Sequence, residues 1–347
     1  MVISARSWPE RRVRPPGLCG FQQLPGDKVG NLDRDELLRR CLQAAGRHGA
    51  LVVILGLLVG FLVPALAELA RPQLALAVLI FSFGSFLKLD GGAAAEEWQR
   101  APQSLLVSAW CALGIPLATL LLMRLLPLDP SLAQGVLLWA AVPTSAASVA
   151  FASILGLSPS LALVATVVGT AAAPLLLPLL MATSGGGLAL AANPLHLCLN
   201  LLALLGGAAV LALIAQRLAG GLIAANPDAM TGITVLALVL AGLGSMRGVQ
   251  AAFLAEPLKV LALLLLAYLL MIGVQILGTL LFWPLLGARG ALTAGLAGGT
   301  RTITLAWVVL GPEVSHLANL FLAMAMVAKY TGPALWRPWL GRLLQRG

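Results

Sequence analysis

Arg301 stands in the run GLAGGTRTITLAWVVLG, an apolar stretch in which a permanent positive charge is out of place. A guanidinium at the centre of a bilayer costs about 2.5–3.5 kcal/mol on insertion scales and seldom faces lipid, so its place is the protein interior or a wet cavity. Two readings follow. Arg301 either holds neighbouring helices together and attracts an anion, or is a structural cation satisfied by helix C-terminal carbonyls such as those before Pro143. Hydroxyls gather at the same kind of place: Thr302 and Thr304 follow the Gly298-Gly299 pair, and Thr144, Ser145 and Ser148 follow Pro143. At the starts of helical segments they can hold a carboxylate beside backbone amides, or cap their own helix. Lys329, near Thr331, either snorkels to the inner surface or adds positive potential to a cavity. His196 and His316 fall near the ends of apolar runs, which suits interfacial positions better than proton relay. No Asp or Glu lies deep in any apolar run, so a proton-coupled carboxylate has no carrier. No Ser/His, Asp/Asp or His/Glu pair converges within those runs, so the reading is not an enzyme, with no catalytic residue. Cys19, Cys41, Cys111 and Cys198 lack metal spacing, which argues against a metal centre, and nothing points to a cofactor.

These residues require helices that stop in mid-membrane. One apolar span is interrupted at Pro143-Thr144-Ser145-Ala146-Ala147-Ser148 and another at Gly298-Gly299-Thr300-Arg301-Thr302, where proline removes a backbone donor and small residues offer little bulk. Two such breaks meeting at the midplane would aim free amides at one small volume, the way many secondary transporters build a site. The composition agrees: 60% of the chain is hydrophobic and 10% charged, too apolar for a soluble globule of this length. The continuous Leu- and Ala-rich runs exclude a β-barrel. The net charge of +9 comes from segment ends and a basic leader, so its expected partners are membrane lipids and not nucleic acid.

The expected fold is an all-α integral membrane protein. Spans are read at 49–67, 73–89, 104–126, 132–155, 158–181, 194–218, 229–247, 258–286, 291–310 and 314–339. Residues 1–48 form a cytoplasmic basic leader with an interfacial helix from Asp33, 49–183 a first five-helix repeat, and 184–347 a second repeat with a short basic tail. The halves echo each other. Gly84-Ser85 with Lys88 matches Gly244-Ser245 with Arg247, Pro102 matches Pro257, and Thr170 with Pro174 matches Thr331 with Pro333, at offsets of about 155–160. An odd number of spans per half makes the repeats inverted. Lys88, Arg100, Arg217, Arg289 and Arg337 join the leader on one side, against Arg71, Arg124, Arg247 and Lys259 on the other, which puts both termini in the cytoplasm of a multi-pass inner- or plasma-membrane protein. Trp336 and Trp339 are expected at the interface, beyond a Ser184-Gly185-Gly186-Gly187 turn between the halves.

On these residues the chain resembles the bile acid:sodium symporter family, which also has arsenite-efflux relatives, over residues 49–339. The most specific part is spans four and five, where Pro143 and Ala173-Pro174 stand at the family's separation. The resemblance implies ten transmembrane helices as two inverted five-helix repeats. Spans three to five and eight to ten form a core, spans one, two, six and seven a panel, and the broken fourth and ninth helices cross in the core. It also implies transport of an organic anion, from bile acids to small carboxylates, usually with sodium. Placed on the family pattern, the sodium-binding Ser-Asn pair falls on Ser148-Val149 and the fifth-span hydroxyls on Ala162 and Thr166. The ninth-span acid and amide fall on Ala297 and Arg301, and the third-span amide on Cys111. Ser148 and Thr166 keep an oxygen and form a candidate residual ion site, while Arg301 takes the place of a bound sodium ion. The expectation is alternating access for a small organic anion, bound by Arg301, Thr144, Ser145, Ser148, Thr302 and Thr304, without the usual sodium coupling. The alternatives are a sodium-coupled symporter using backbone carbonyls, and a receptor or scaffold that keeps the fold without transport. An arsenite exporter is disfavoured, because the fourth-span cysteine and ninth-span acid of that branch are missing.

Overall fold

The computed structural model describes residues 40, 42–44, 49–87, 101–126, 128–183, 194–310 and 314–346. The basic leader, most of the helix expected from Asp33, the segment with Lys88 and Arg100, the turn at 184–187 and the side chains of Trp336 and Trp339 lie outside the described residues.

Every regular element described is helical. In chain order these are α1 Gly49–Leu62, α2 Pro64–Ala70, α3 Leu74–Leu87, α4 Ala101–Ala109, α5 Ile115–Leu125, α6 Pro130–Ala141, α7 Ala147–Ile154 and α8 Pro159–Thr183. There follow α9 Pro194–Leu201, α10 Gly207–Ala225, α11 Pro227–Ser245, α12 Val249–Ala255, α13 Pro257–Gly299, α14 Thr304–Leu310 and α15 His316–Arg346. A 3₁₀ turn, Arg71–Gln73, joins α2 to α3, and π-turns at Trp110–Gly114 and Leu202–Gly206 join α4 to α5 and α9 to α10. Proline opens many of these helices because the first helical residue has no intrahelical use for its N–H. At α6 the Asp129 side chain adds a cap, accepting from Ser131 N at 2.8 Å and Leu132 N at 3.3 Å.

Among the described residues six stretches are long and apolar enough to cross a membrane: Pro64–Leu87, Pro102–Leu125, Pro159–Met181, Leu195–Ile223, Pro227–Ala255 and Pro257–Gly299. Leucines such as Leu218, Leu254 and Leu258 are more than three-quarters exposed, a surface suited to lipid tails. The first span differs from its expected limits. It breaks at Val63, whose φ of −123° and ψ of 83° leave the helix, since a residue before proline is pushed out of the α region. Pro64 therefore starts the second span, which the sequence pattern places from residue 73.

The 43 residues of α13 do not run straight. Gly287 has φ 63° and ψ −178°, a conformation essentially restricted to glycine, and the chain doubles back there. Residues placed symmetrically about it meet: a Cβ on Gly278 would come within 3.2 Å of Gly295 Cα, and one on Gly299 would touch the Gln275 side chain. The stretch 288–299 thus returns against 257–286 as the first half of a broken helix.

Packing sorts the helices into two groups. In one, α11 lies against α1 and α3, and α10 against α3. In the other, α13 packs on α15, α15 on α6, and α8 on α4, α7 and α13. The two breaks belong to the second group, between α6 and α7 and between α13 and α14.

Candidate substrate site at the helix crossing

The two breaks lie against each other. Thr144 and Arg301 form an isolated antiparallel bridge, with Ser145 N donating to Thr300 O at 2.8 Å and Thr302 N to Pro143 O at 2.8 Å. Thr302 Oγ1 adds a bond to Thr144 O at 3.2 Å. The crossing therefore does not leave all its amides free for a ligand. Extended backbone in mid-membrane has no water to bond, and two breaks laid antiparallel satisfy each other.

Arg301 is fully buried at this junction. Its NH1 donates to Cys111 O at 2.8 Å and to Val142 O at 3.1 Å. Both carbonyls are left over by local chain chemistry. In the π-turn Ile115 N bonds back five residues to Trp110 O, and the next donor in that register would be Pro116, which has no N–H, so Cys111 O lacks a helical partner. Val142 caps the C-terminus of α6, where carbonyls are also unpaired. The C-terminal ends of α6 and α13 both arrive here, and each carries roughly half a negative charge, which offsets a guanidinium without a carboxylate. Nε and NH2 of Arg301 remain enclosed without a hydrogen-bond partner, as does Thr144 Oγ1.

In front of the crossing is a narrow cleft between the two helix groups, with a cavity volume of about 20 Å³. Its polar lining is Ser82 and Ser85 of α3, Thr144, Thr302, and Thr166 and Thr170 of α8. Val78, Phe81, Phe86, Val167, Leu205 and Leu305 supply apolar surface. Of the six residues expected to bind substrate, Thr144 and Thr302 line this cleft. The other four lie behind it. Ser145 Oγ accepts from Ala147 N at 3.3 Å at the start of α7, Ser148 and Thr304 are buried, and Arg301 stands beside both lining threonines without joining the wall. Ser148 Oγ and Thr166 Oγ1 come together at 3.4 Å, and Thr166 Oγ1 is 2.8 Å from Ala162 O. Ala297 offers that pair no acid. Ser82 escaped the sequence reading, although its spacing from Ser85 puts the two on one helix face.

A model of the sodium bile acid symporter family matches residues 73–279. The chain belongs to that family. Its members are membrane transporters, and this chain is an integral membrane protein of the same kind. Comparison with curated proteins gives no match. The family match takes in Pro143, Ser148 and Thr166 and stops before Gly287, so Arg301 and the second break stand beyond it.

Two further polar features differ from expectation or were not foreseen. Lys329 does not snorkel outward: it is 3% exposed inside the helix bundle. Arg71, at the far end of α3 from the cleft, joins the two helix groups. It donates to Asn319 Oδ1 at 2.9 Å and lies 5.0 Å over the Trp307 ring, and Trp307 Nε1 also donates to Asn319 Oδ1 at 2.9 Å. An open vestibule lies at this junction, lined by both partners together with Glu68, Arg247 and His316.

Proposed function

We propose that this chain is a secondary transporter that carries a small organic anion by alternating access, without a bound sodium ion. The observation that carries the reading is a hydroxyl-lined cleft between two helix groups, with the buried Arg301 directly behind its wall. The helix order supports ten spans in two inverted repeats, 49–183 and 184–347. The antiparallel pairing of the two breaks has the local two-fold character that such repeats generate. The group containing the breaks acts as the core, and α1, α3, α10 and α11 as the panel. Both termini are assigned to the cytoplasm from the lysine and arginine bias.

The cleft chemistry fits an anion with an apolar body. Carboxylate or sulfonate oxygens take Thr144, Thr302 and the serines of α3, while Phe81, Phe86 and Leu305 meet the hydrocarbon part. Arg301 acts through its field. A positive charge on the order of 8 Å from a carboxylate contributes about 2 kcal/mol at an effective dielectric of about 20. Its two carbonyl bonds hold together the junction of the breaks, which in the family depends on a bound cation. Ser148 and Thr166 without a nearby acid make a poor sodium site, so we assign them to packing between α7 and α8.

Flux in proteoliposomes tests the reading, with radiolabelled pantoate and taurocholate as probes. Saturable uptake or exchange of either is expected, and Thr144→Val with Thr302→Val should cut it at least about tenfold. Binding of a probe with no flux would favour the receptor or scaffold reading.

A further inference from the structure

The core group holds a second cation that the cleft does not use. Lys329 is 3% exposed along α15, and its Nζ lies 4.8 Å from the Tyr330 ring centroid. It makes no hydrogen bond or ion pair with a described residue. Tyr330 in turn packs edge-on against Phe151 of α7, with ring centroids 6.4 Å apart, and its hydroxyl is enclosed without a partner.

Among the described residues, the helices around α15 bring no acid to this ammonium. α1, α6 and α7 carry no ionisable side chain, and α11 carries only Asp228, in its first turn. On α13, Lys259 pairs with Glu256 at an exposed end, Tyr268 bonds Thr331, and Arg289 follows the reversal at Gly287. On α15 itself, His316 is the first residue, about 20 Å away along the axis, and Arg337, Arg342 and Arg346 occupy the final turns. A lysine ammonium can release its proton, whereas a guanidinium keeps its own in any setting. Among the described residues, the buried interior thus contains one fixed cation and one that can be discharged.

We infer that Lys329 is the proton carrier of this transporter, taking up one proton for each organic anion moved. The inference rests on the transport reading above and names its coupling ion. The proton passes from water to the Nζ lone pair and back, and no other bond changes. The charge count favours this stoichiometry. A core holding Arg301, protonated Lys329 and a monoanion has a net charge of +1, and an empty core with neutral Lys329 has the same charge. Both reorienting states then meet the low-dielectric membrane with equal charge. The Tyr330–Phe151 contact links the carrier to α7, whose first turn backs the cleft.

The test uses proteoliposomes of the full chain, radiolabelled taurocholate, and valinomycin with equal potassium on both faces. An inward gradient of about one pH unit should drive about tenfold accumulation at one proton per monoanion. Lys329→Arg keeps the charge but cannot release a proton. It should still exchange labelled for unlabelled taurocholate, which also reports correct folding, and lose the gradient-driven accumulation. Lys329→Met should lose accumulation as well. Wild-type uptake indifferent to the pH gradient, or accumulation by Lys329→Arg at the wild-type level, overturns the inference and leaves the transport reading standing. Wild-type vesicles that neither take up nor exchange taurocholate or pantoate sink the transport reading, and this inference with it.

Discussion

Arg301 is held by two carbonyls that the chain frees nearby, and the spacing that frees them was partly visible in advance. Pro143 follows Val142 directly, so the end of α6 could be read from sequence. Pro116 follows Cys111 by five residues, which matters only once a π-turn shifts the hydrogen-bond register, and no local pattern announces that turn. Replacing the guanidinium by an amide leaves both carbonyls weakly bonded. Arg301→Gln should therefore cost about 3 kcal/mol, the scale of hydrogen bonds from a charged donor, and lower the melting temperature in detergent by several degrees. Arg301→Lys should recover only part of that loss, because a single ammonium cannot reproduce the planar reach to carbonyls on two helices. The burial of Lys329 was not legible. A lysine stem of that length reaches the surface from many positions, and only the neighbours' packing decides whether it does.

At the scale of elements, the two broken helices were readable from Pro143 and from the Gly298-Gly299 pair, and the reversal falls between the spans read at 258–286 and 291–310; the short π-turn, and which residue carries the reversal, were not readable. Gly287 looks like any other glycine in a Leu-rich run until its backbone angles are known. Gly287→Ala forces a side chain into a region that only glycine occupies readily and should cost about 1–3 kcal/mol, measurable by thermal unfolding. Gly295 is a stricter case, since a Cβ there would stand on Gln275 O and Thr279 Oγ1. Gly295→Val should separate 288–299 from 257–286 and abolish a monodisperse product. A variant that keeps wild-type stability would show that the hairpin about Gly287 is wrongly described.

For the whole molecule, the contact of Arg71 with Asn319 and Trp307 joins the helix groups at one end of α3, beside the vestibule, while the cleft lies toward the other. Arg71 and Asn319 are 248 positions apart in sequence, and only the assembled bundle reveals the pairing. Losing a charge-assisted bond of about 1.5–3 kcal/mol should shift the balance between the two access states by about tenfold or more. Leu74 is buried in the wall of the vestibule and reports on it. In a background with the four native cysteines replaced by serine, Leu74→Cys should react with a maleimide about tenfold faster when Arg71→Ala is added. Unchanged labelling would remove Arg71 from any gating role.

The central claim is that a fixed guanidinium does the work of a sodium ion at the crossing. The most direct measurement is the melting temperature of the purified protein as sodium chloride replaces choline chloride at constant ionic strength. A ligand that binds the folded state stabilises it in proportion to the logarithm of its concentration above its dissociation constant. The account predicts no saturable change in wild type, and a saturable sodium-dependent rise would contradict it.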